Sequence, residues 1–318
     1  PDGSSVTESS STTYQYNYGK NGWLSTVTDN DGETTHEYEL NAAGYMVKHV
    51  VCSTSNDGDK RYDRTERTLN ENNKTIKEVR YVKDNYSTDY YKLFENLYEY
   101  DHVPNGQLIE RRSYNNDGTL CYAIINFWAK DAGRYVGGYT DYISSSGAKM
   151  ELEVDRANMS FCTKTYHKCS SDESKQCLQE VRHMSFGSDG NRRDNYQMFY
   201  DEQGTLVSAD GTKAEIVYDP VTHLQTYTLN RPVVKDGVLT FEMIEKQTYL
   251  TPNIILLKQS GAALKLAFIK DGVISRETYL KKMPDGTFAA EIYDEQDIDT
   301  KIFVFNSNYE LTKTLRYH

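Results

Sequence analysis

The stretch YEYDHVPNGQLIERRSYNNDGTLCY (residues 98–122) carries one pattern twice. A tyrosine precedes a polar turn that ends in glycine, and a leucine stands two residues beyond. The first copy uses Tyr100, Gly106 and Leu108, and the second uses Tyr114, Gly118 and Leu120. Glycine takes φ > 0 without steric cost, so it belongs where a chain reverses tightly. Tyrosine and leucine on either side are strand residues, and each copy therefore reads as a β-hairpin.

Working outward, the same grammar recurs. YQYNYGKNGWLSTV begins at Tyr14 and HEYELNAAGYMVKH at His36; Tyr16 to Tyr38 and Gly22 to Gly44 share one 22-residue offset. RTLNENNKTIKEV (67–79) is a weaker copy with Asn73 where glycine would sit. Later copies are MFYDEQGTLVSADGTKAEIVYD (198–219) and FIKDGVISRETYLKKMPDGTFAAEIYD (268–294). Asp-Gly pairs at 31–32, 57–58, 117–118, 210–211, 236–237, 271–272 and 285–286 mark further turns between Tyr-, Thr- and Val-rich segments. The expected fold is all-β: a long antiparallel meander of hairpins, extended or partly a single-layer sheet.

Composition agrees with a thin interior. Of 318 residues, 27 are tyrosine. Setting tyrosine aside and counting glycine leaves about 35% apolar residues, against roughly 45–50% in typical domains. Tyrosine fills the deficit because its ring is apolar while its hydroxyl tolerates water. In QLIERRSY (107–114), one face carries Leu108, Glu110, Arg112 and Tyr114 and the other Ile109, Arg111 and Ser113. Neither is cleanly apolar, as expected of a sheet wetted on both sides and held by cross-strand pairs.

The unit Y-x-Y-[DN]-x-x-G-x-[LM] resembles the YD repeats of Rhs-type bacterial proteins and the hairpin repeats of secreted or lipoprotein-type proteins of Bacteroidetes. It covers roughly residues 14–125 and 185–295 in separate units. The chain is too short for the large hollow shell of true YD proteins and shows no toxin cargo domain. The resemblance implies β-hairpin architecture and an extracellular or cell-envelope setting, with a lipid anchor as one form of it, and brings no catalytic residue.

Three regions are expected: a flexible Ser/Thr-rich tether (1–13), the hairpin-repeat region (14–230) and a C-terminal β region (231–318). Pro232 interrupts the chain there, and the last region is either a second sheet or the continuation of the first. The segment SSDESKQCLQEVRHM (170–184) fits a capped helix through Ser170 and Glu173, but it also alternates as a strand, which is the expectation. Among five cysteines, Cys162, Cys169 and Cys177 cluster. In an oxidising compartment the expected bridge is a hairpin-closing Cys162–Cys169 pair, with buried free thiols the alternative.

The net charge of −11, without a basic stripe, excludes nucleic acid as a natural partner. No apolar run approaches the ~20 residues of a membrane-spanning helix. The seven histidines form no H-E-x-x-H or H-x-H, and C-x6-C-x7-C is not a zinc-ribbon spacing. DNDG (29–32) opens like a calcium loop but lacks its remaining ligands. There is no G-x-S-x-G elbow and no phosphate loop. No catalytic residue, metal or cofactor is therefore expected.

What remains is the aromatic surface. Tyr16, Trp23, Tyr38, Tyr98, Tyr100, Tyr114 and Trp128 are the candidate binding residues, either as a stacking platform or as cross-strand fillers. The leading expectation is a non-enzymatic scaffold that meets a protein or a surface glycan through an exposed tyrosine-rich sheet. The alternative is a protein that binds or cleaves carbohydrate with tyrosines and carboxylates on that sheet.

Overall fold

The structure is a computed structural model that describes residues 15–18, 24–29, 32–101, 106–143, 147–294 and 298–317; for 15–18, 24–29 and 32 it describes the backbone. The expected tether (1–13) and Trp23 lie outside the described residues. Every regular element among them is a β-strand, and within each sheet every strand lies beside its neighbour in sequence.

The first sheet contains β1 (Gln15–Tyr18), β2 (Leu24–Asp29), β3 (Gly32–Leu40), β4 (Met46–Ser55) and β5 (Lys60–Leu69). It continues through β6 (Thr75–Asp84), β7 (Tyr91–Tyr100), β8 (Leu108–Asn115), β9 (Leu120–Ala129) and β10 (Arg134–Tyr139). The second contains β11 (Lys149–Asp155), β12 (Ser160–Cys169), β13 (Asp172–Phe186), β14 (Arg192–Tyr200) and β15 (Leu206–Tyr218). It runs on through β16 (Gln225–Lys235), β17 (Val238–Thr251), β18 (Ile254–Gln259), β19 (Lys265–Lys270) and β20 (Val273–Tyr279). The third has β21 (Lys281–Lys282), β22 (Phe288–Asp294), β23 (Asp299–Phe305) and β24 (Leu311–Tyr317). The long hairpin meander is thus what the chain forms; residue 231 falls inside β16, and the sheets change between β10 and β11 and between β20 and β21.

The repeat has a local cause. At four turns, an Asn or Asp just past the strand end accepts two backbone N–H groups with one side-chain oxygen. Asn41 Oδ1 takes those of Ala43 (3.1 Å) and Tyr45 (2.9 Å), and Asn70 Oδ1 those of Asn72 (3.0 Å) and Lys74 (2.9 Å). Asp201 does the same with Gln203 and Thr205, and Asn306 with Asn308 and Glu310. Three residues on, the chain enters the left-handed region: Gly44 (φ 83°), Asn73 (58°), Gly204 (80°) and Tyr309 (64°). The strand-end residue then pairs six positions ahead across a bulge, as in Leu40–Met46, Leu69–Thr75, Tyr200–Leu206 and Phe305–Leu311. Asn73 does take the glycine position, as asparagine can because its short polar side chain tolerates that conformation. Asp236-Gly237 and Asp271-Gly272 instead form two-residue turns with φ > 0 at both positions.

Two sequence expectations are corrected. Asp210-Gly211 is not a turn: both residues lie within β15, with Gly211 opposite Tyr196. There φ is +107°, and a Cβ would stand 2.2 Å from the Asn195 carbonyl oxygen and 2.7 Å from Tyr196 Cα. Glycine is needed for close approach of two backbones, not for reversal. Gly211→Ala should therefore cost ~1–3 kcal/mol or more from overpacking. Gly204→Ala, with nothing within 4 Å of its Cβ, should cost only ~1–2 kcal/mol for left-handed backbone. Urea unfolding of the two variants checks this, and equal losses would show that crowding is not the reason.

The disulfide is Cys169–Cys177, with Cα atoms 5.3 Å apart, and Cys52, Cys121 and Cys162 are free. The expected Cys162–Cys169 bridge cannot form because both residues sit on β12. Seven residues of extended strand separate them by roughly 23 Å. The bridge does close a hairpin end: 170–184 is largely strand, and a bulge beyond Lys168–Gln176 brings Cys169 beside Cys177.

The described residues form two compact units, those within 1–127 and 137–150 and those within 128–136 and 151–318. In the first, β3, β4 and β5 bury no side chain fully, whereas β9 buries Cys121, Ala123, Ile125 and Phe127 along one face. Thr140 seals that strand, its hydroxyl accepting the Ala123 N–H at 2.9 Å and its own N–H donating to the Ala123 carbonyl.

The second unit holds a two-layer core. Ile254, Leu256, Leu266 and Phe268 of β18 and β19 pack on Ala290, Ile292, Phe303 and Phe305 of β22 and β23. A smaller cluster of Ile255, Leu257 and Ala267 occupies the opposite face of β18 and β19. Beside the larger core Lys301, 1% exposed, places Nζ 2.5 Å from Asp294 Oδ2 and 3.8 Å from Asp299 Oδ1.

Candidate functional site

The expected binding tyrosines do not converge. Residue pairing carries Tyr38 through His49, Thr65, Arg80 and Phe94 to Tyr98, so these lie on one face of the first sheet, with Tyr100 two residues beyond. Tyr114 pairs with Glu95 and lies on the other face. Tyr16 is opposite Val27 in β1. Trp128 belongs to the second unit and contacts Tyr135, ring centroids 5.1 Å apart.

Each described ring serves a neighbour. Tyr38 stacks on His49 with centroids 4.6 Å apart and planes within 6°. Arg111 lies over Tyr98, and Lys74 over Tyr100, whose hydroxyl donates to the Thr75 carbonyl at 3.0 Å. On the opposite face Arg64 is clasped between Tyr81 and Tyr90, 4.4 and 4.3 Å from the ring centroids.

A polar belt crosses the Tyr38 face. Arg67 Nε donates to Glu78 (2.8 Å), Asn96 Nδ2 contacts Glu78 (3.4 Å), and Ser113 Oγ donates to Asn96 Oδ1 (2.6 Å). At its β3–β4 end His36 Nδ1 and His49 Nε2 share a hydrogen bond at 3.1 Å. Burial lowers the pKa of both rings, and His36 and Arg67 lower that of His49 further. Unfolded, these imidazoles titrate near 6.5; folded, they resist the proton, so the native state binds fewer protons. Stability should consequently fall as pH drops below about 6.5. Replacing both histidines with glutamine should flatten the slope of unfolding midpoint against pH between 7 and 5, and an unchanged slope would refute the assignment.

In the second unit a row of side chains resembles a nucleophile relay. Cys162 is opposite His183, and His183 Nδ1 lies 3.6 Å from Asp194 Oδ2. That separation is too long for a hydrogen bond, and Asp194 instead accepts one from Ser185 at 2.8 Å. Burial raises the pKa of the Cys162 thiol, the reverse of what a thiolate nucleophile needs. The row continues as packing: Tyr196 stacks on His183 and meets Phe241 edge-on. Among the described residues no three His, Cys, Asp or Glu side chains converge as metal ligands.

An open recess lies at one end of the first sheet, between the β4–β5 and β6–β7 turns. It has a volume of about 460 Å³, is open to solvent, and its lining includes Ser53, Ser55, Asp59, Lys60, Asp84, Asn85 and Tyr86. Asn85 Nδ2 donates to Asp59 Oδ1 at 3.1 Å, tying the two turns together. Asp84 Oδ1 accepts from Ser87 Oγ at 2.7 Å and from the Tyr86 N–H at 3.0 Å. These bonds, the hydroxyl first, hold the Asp84 carboxyl below its usual pKa and fix a turn that leaves Tyr86 88% exposed. Tyr86 was not among the expected binding residues. KDNYSTD (83–89) has no glycine and no Y-x-Y signature, and nothing in it announces a neighbour 26 residues earlier.

No known family model and no curated protein sequence matches this chain.

Proposed function

We propose that this chain is a non-enzymatic β-repeat scaffold of the YD-like kind, placed outside the cell or in the cell envelope, that binds a protein or a surface glycan. The observation carrying this reading is the pair of ten-stranded hairpin sheets. In the first of them tyrosine, arginine and acidic side chains cover both faces and the interior is thin. Such a surface spreads binding over area, where an enzyme needs a recess with converging reactive groups. The Cys169–Cys177 bridge supports an oxidising compartment.

The Asp59–Asn85–Tyr86 concavity favours a second reading, carbohydrate binding. One experiment separates scaffold from glycan-cleaving enzyme. The purified chain is incubated with a panel of envelope polysaccharides, and retention and newly released reducing ends are both measured. Saturable retention without release supports the proposal. Release of reducing ends that a single carboxylate-to-amide change abolishes would overturn it.

A further inference from the structure

We infer that the concavity between the β4–β5 and β6–β7 turns is a saccharide site that takes an uncharged sugar residue, an inference resting on the carbohydrate reading above. Several features converge. Tyr86 presents nearly all of its ring to solvent, and a phenol face is the natural partner for the C–H face of a pyranose because burying both removes apolar surface from water. Asp84 fixes the turn that carries the ring, accepting the Tyr86 backbone N–H and the Ser87 hydroxyl, so the backbone there needs no ordering by the ligand.

Next to it, the Asn85–Asp59 bond uses one amide hydrogen and one carboxylate oxygen. Asp59 Oδ2 and the second Asn85 amide hydrogen have no partner among the described residues. An adjacent acceptor and donor of this kind can engage two neighbouring hydroxyls of one sugar. The lining also holds the hydroxyls of Thr34, Ser53 and Ser55; Thr34 Oγ1 donates to Ser53 Oγ at 3.4 Å and Ser55 Oγ accepts the Asp59 N–H at 3.2 Å, and the Ser53 and Ser55 hydroxyls have hydrogens to donate. The lining carries two carboxylates, Asp59 and Asp84, and two cations, Lys60 and Arg61. With no net charge in the site and −11 on the whole chain, anionic glycans have no electrostatic advantage, which selects a neutral ligand. The open recess has room for one sugar residue.

The test is binding of the full chain to an immobilised panel of neutral, uronate-containing and sulfated oligosaccharides, followed by titration of the best neutral ligand. Tyr86→Ala should weaken binding at least about tenfold, Tyr86→Phe should preserve it, and Asp59→Ala should weaken it as well. The unfolding midpoint of Tyr86→Ala should match the parent, because the side chain is almost wholly exposed. Neutral-glycan binding that Tyr86→Ala leaves intact would overturn the site while the carbohydrate reading stands. Binding confined to anionic glycans and lost in Lys60→Ala/Arg61→Ala would overturn the neutral ligand. Absence of any glycan binding would overturn the site and the carbohydrate reading together, leaving a protein partner for the scaffold.

Discussion

Replacing Lys301 with methionine is expected to cost roughly 3–5 kcal/mol, the range for breaking a buried ion pair from one side. Lys301, Asp294 and Asp299 are all at least 98% buried, so removing the ammonium strands two carboxylates away from water. The two acids are not equivalent. Asp294 meets Lys301 Nζ at 2.5 Å. Neither oxygen of Asp299 accepts a hydrogen bond among the described residues, and its cations stand 3.8 Å (Lys301) and 4.0 Å (Arg316) away. Asp299→Asn removes a charge that is poorly compensated and should cost less than about 1 kcal/mol. Urea titration of the second unit's unfolding transition measures both. Equal losses would mean that the three groups do not form a buried ionic cluster.

Phe303→Ala is expected to destabilise by about 3–5 kcal/mol. The ring is 1% exposed and lies where β22 and β23 pack on β18 and β19, a region too tightly surrounded to collapse onto the void. Tyr98→Ala provides the contrast. Tyr98 is half-buried on the first sheet with Arg111 over its ring, and loss of a cross-strand pair of this type costs about 0.2–1 kcal/mol. Similar losses at the two positions would contradict the division between a two-layer core in one unit and a thin, pair-stabilised sheet in the other.

Turn chemistry was legible residue by residue. An Asn or Asp one place beyond the strand, a residue tolerant of φ > 0 three places later and an aliphatic residue soon after it make a hairpin whatever the remainder of the chain does. The signal failed where other residues meet the same geometric demand. Phe305-Asn306 to Leu311 uses the same turn with Tyr309 at φ 64° and has no glycine to mark it. Conversely, Gly211 looked like a corner because glycine has two uses, reversal and close approach, and only the neighbouring strand tells them apart. The thin interior followed from the scarcity of aliphatic residues, but NIILLK (253–258) alone did not disclose the second layer that covers it.

Strand number, hairpin order and the sites of reversal were thus set within windows of about seven residues, by side-chain hydrogen bonds and backbone sterics that act over that range. Register decided the rest. Each bulge slips one strand by a residue and exchanges its faces, so whether Tyr98 and Tyr114 share a surface depends on the pairings between strands. The same holds for which cysteine meets Cys169, and for Asn85 reaching back to Asp59. Those relations are distances between segments remote in sequence, and they come into being only when the strands pair.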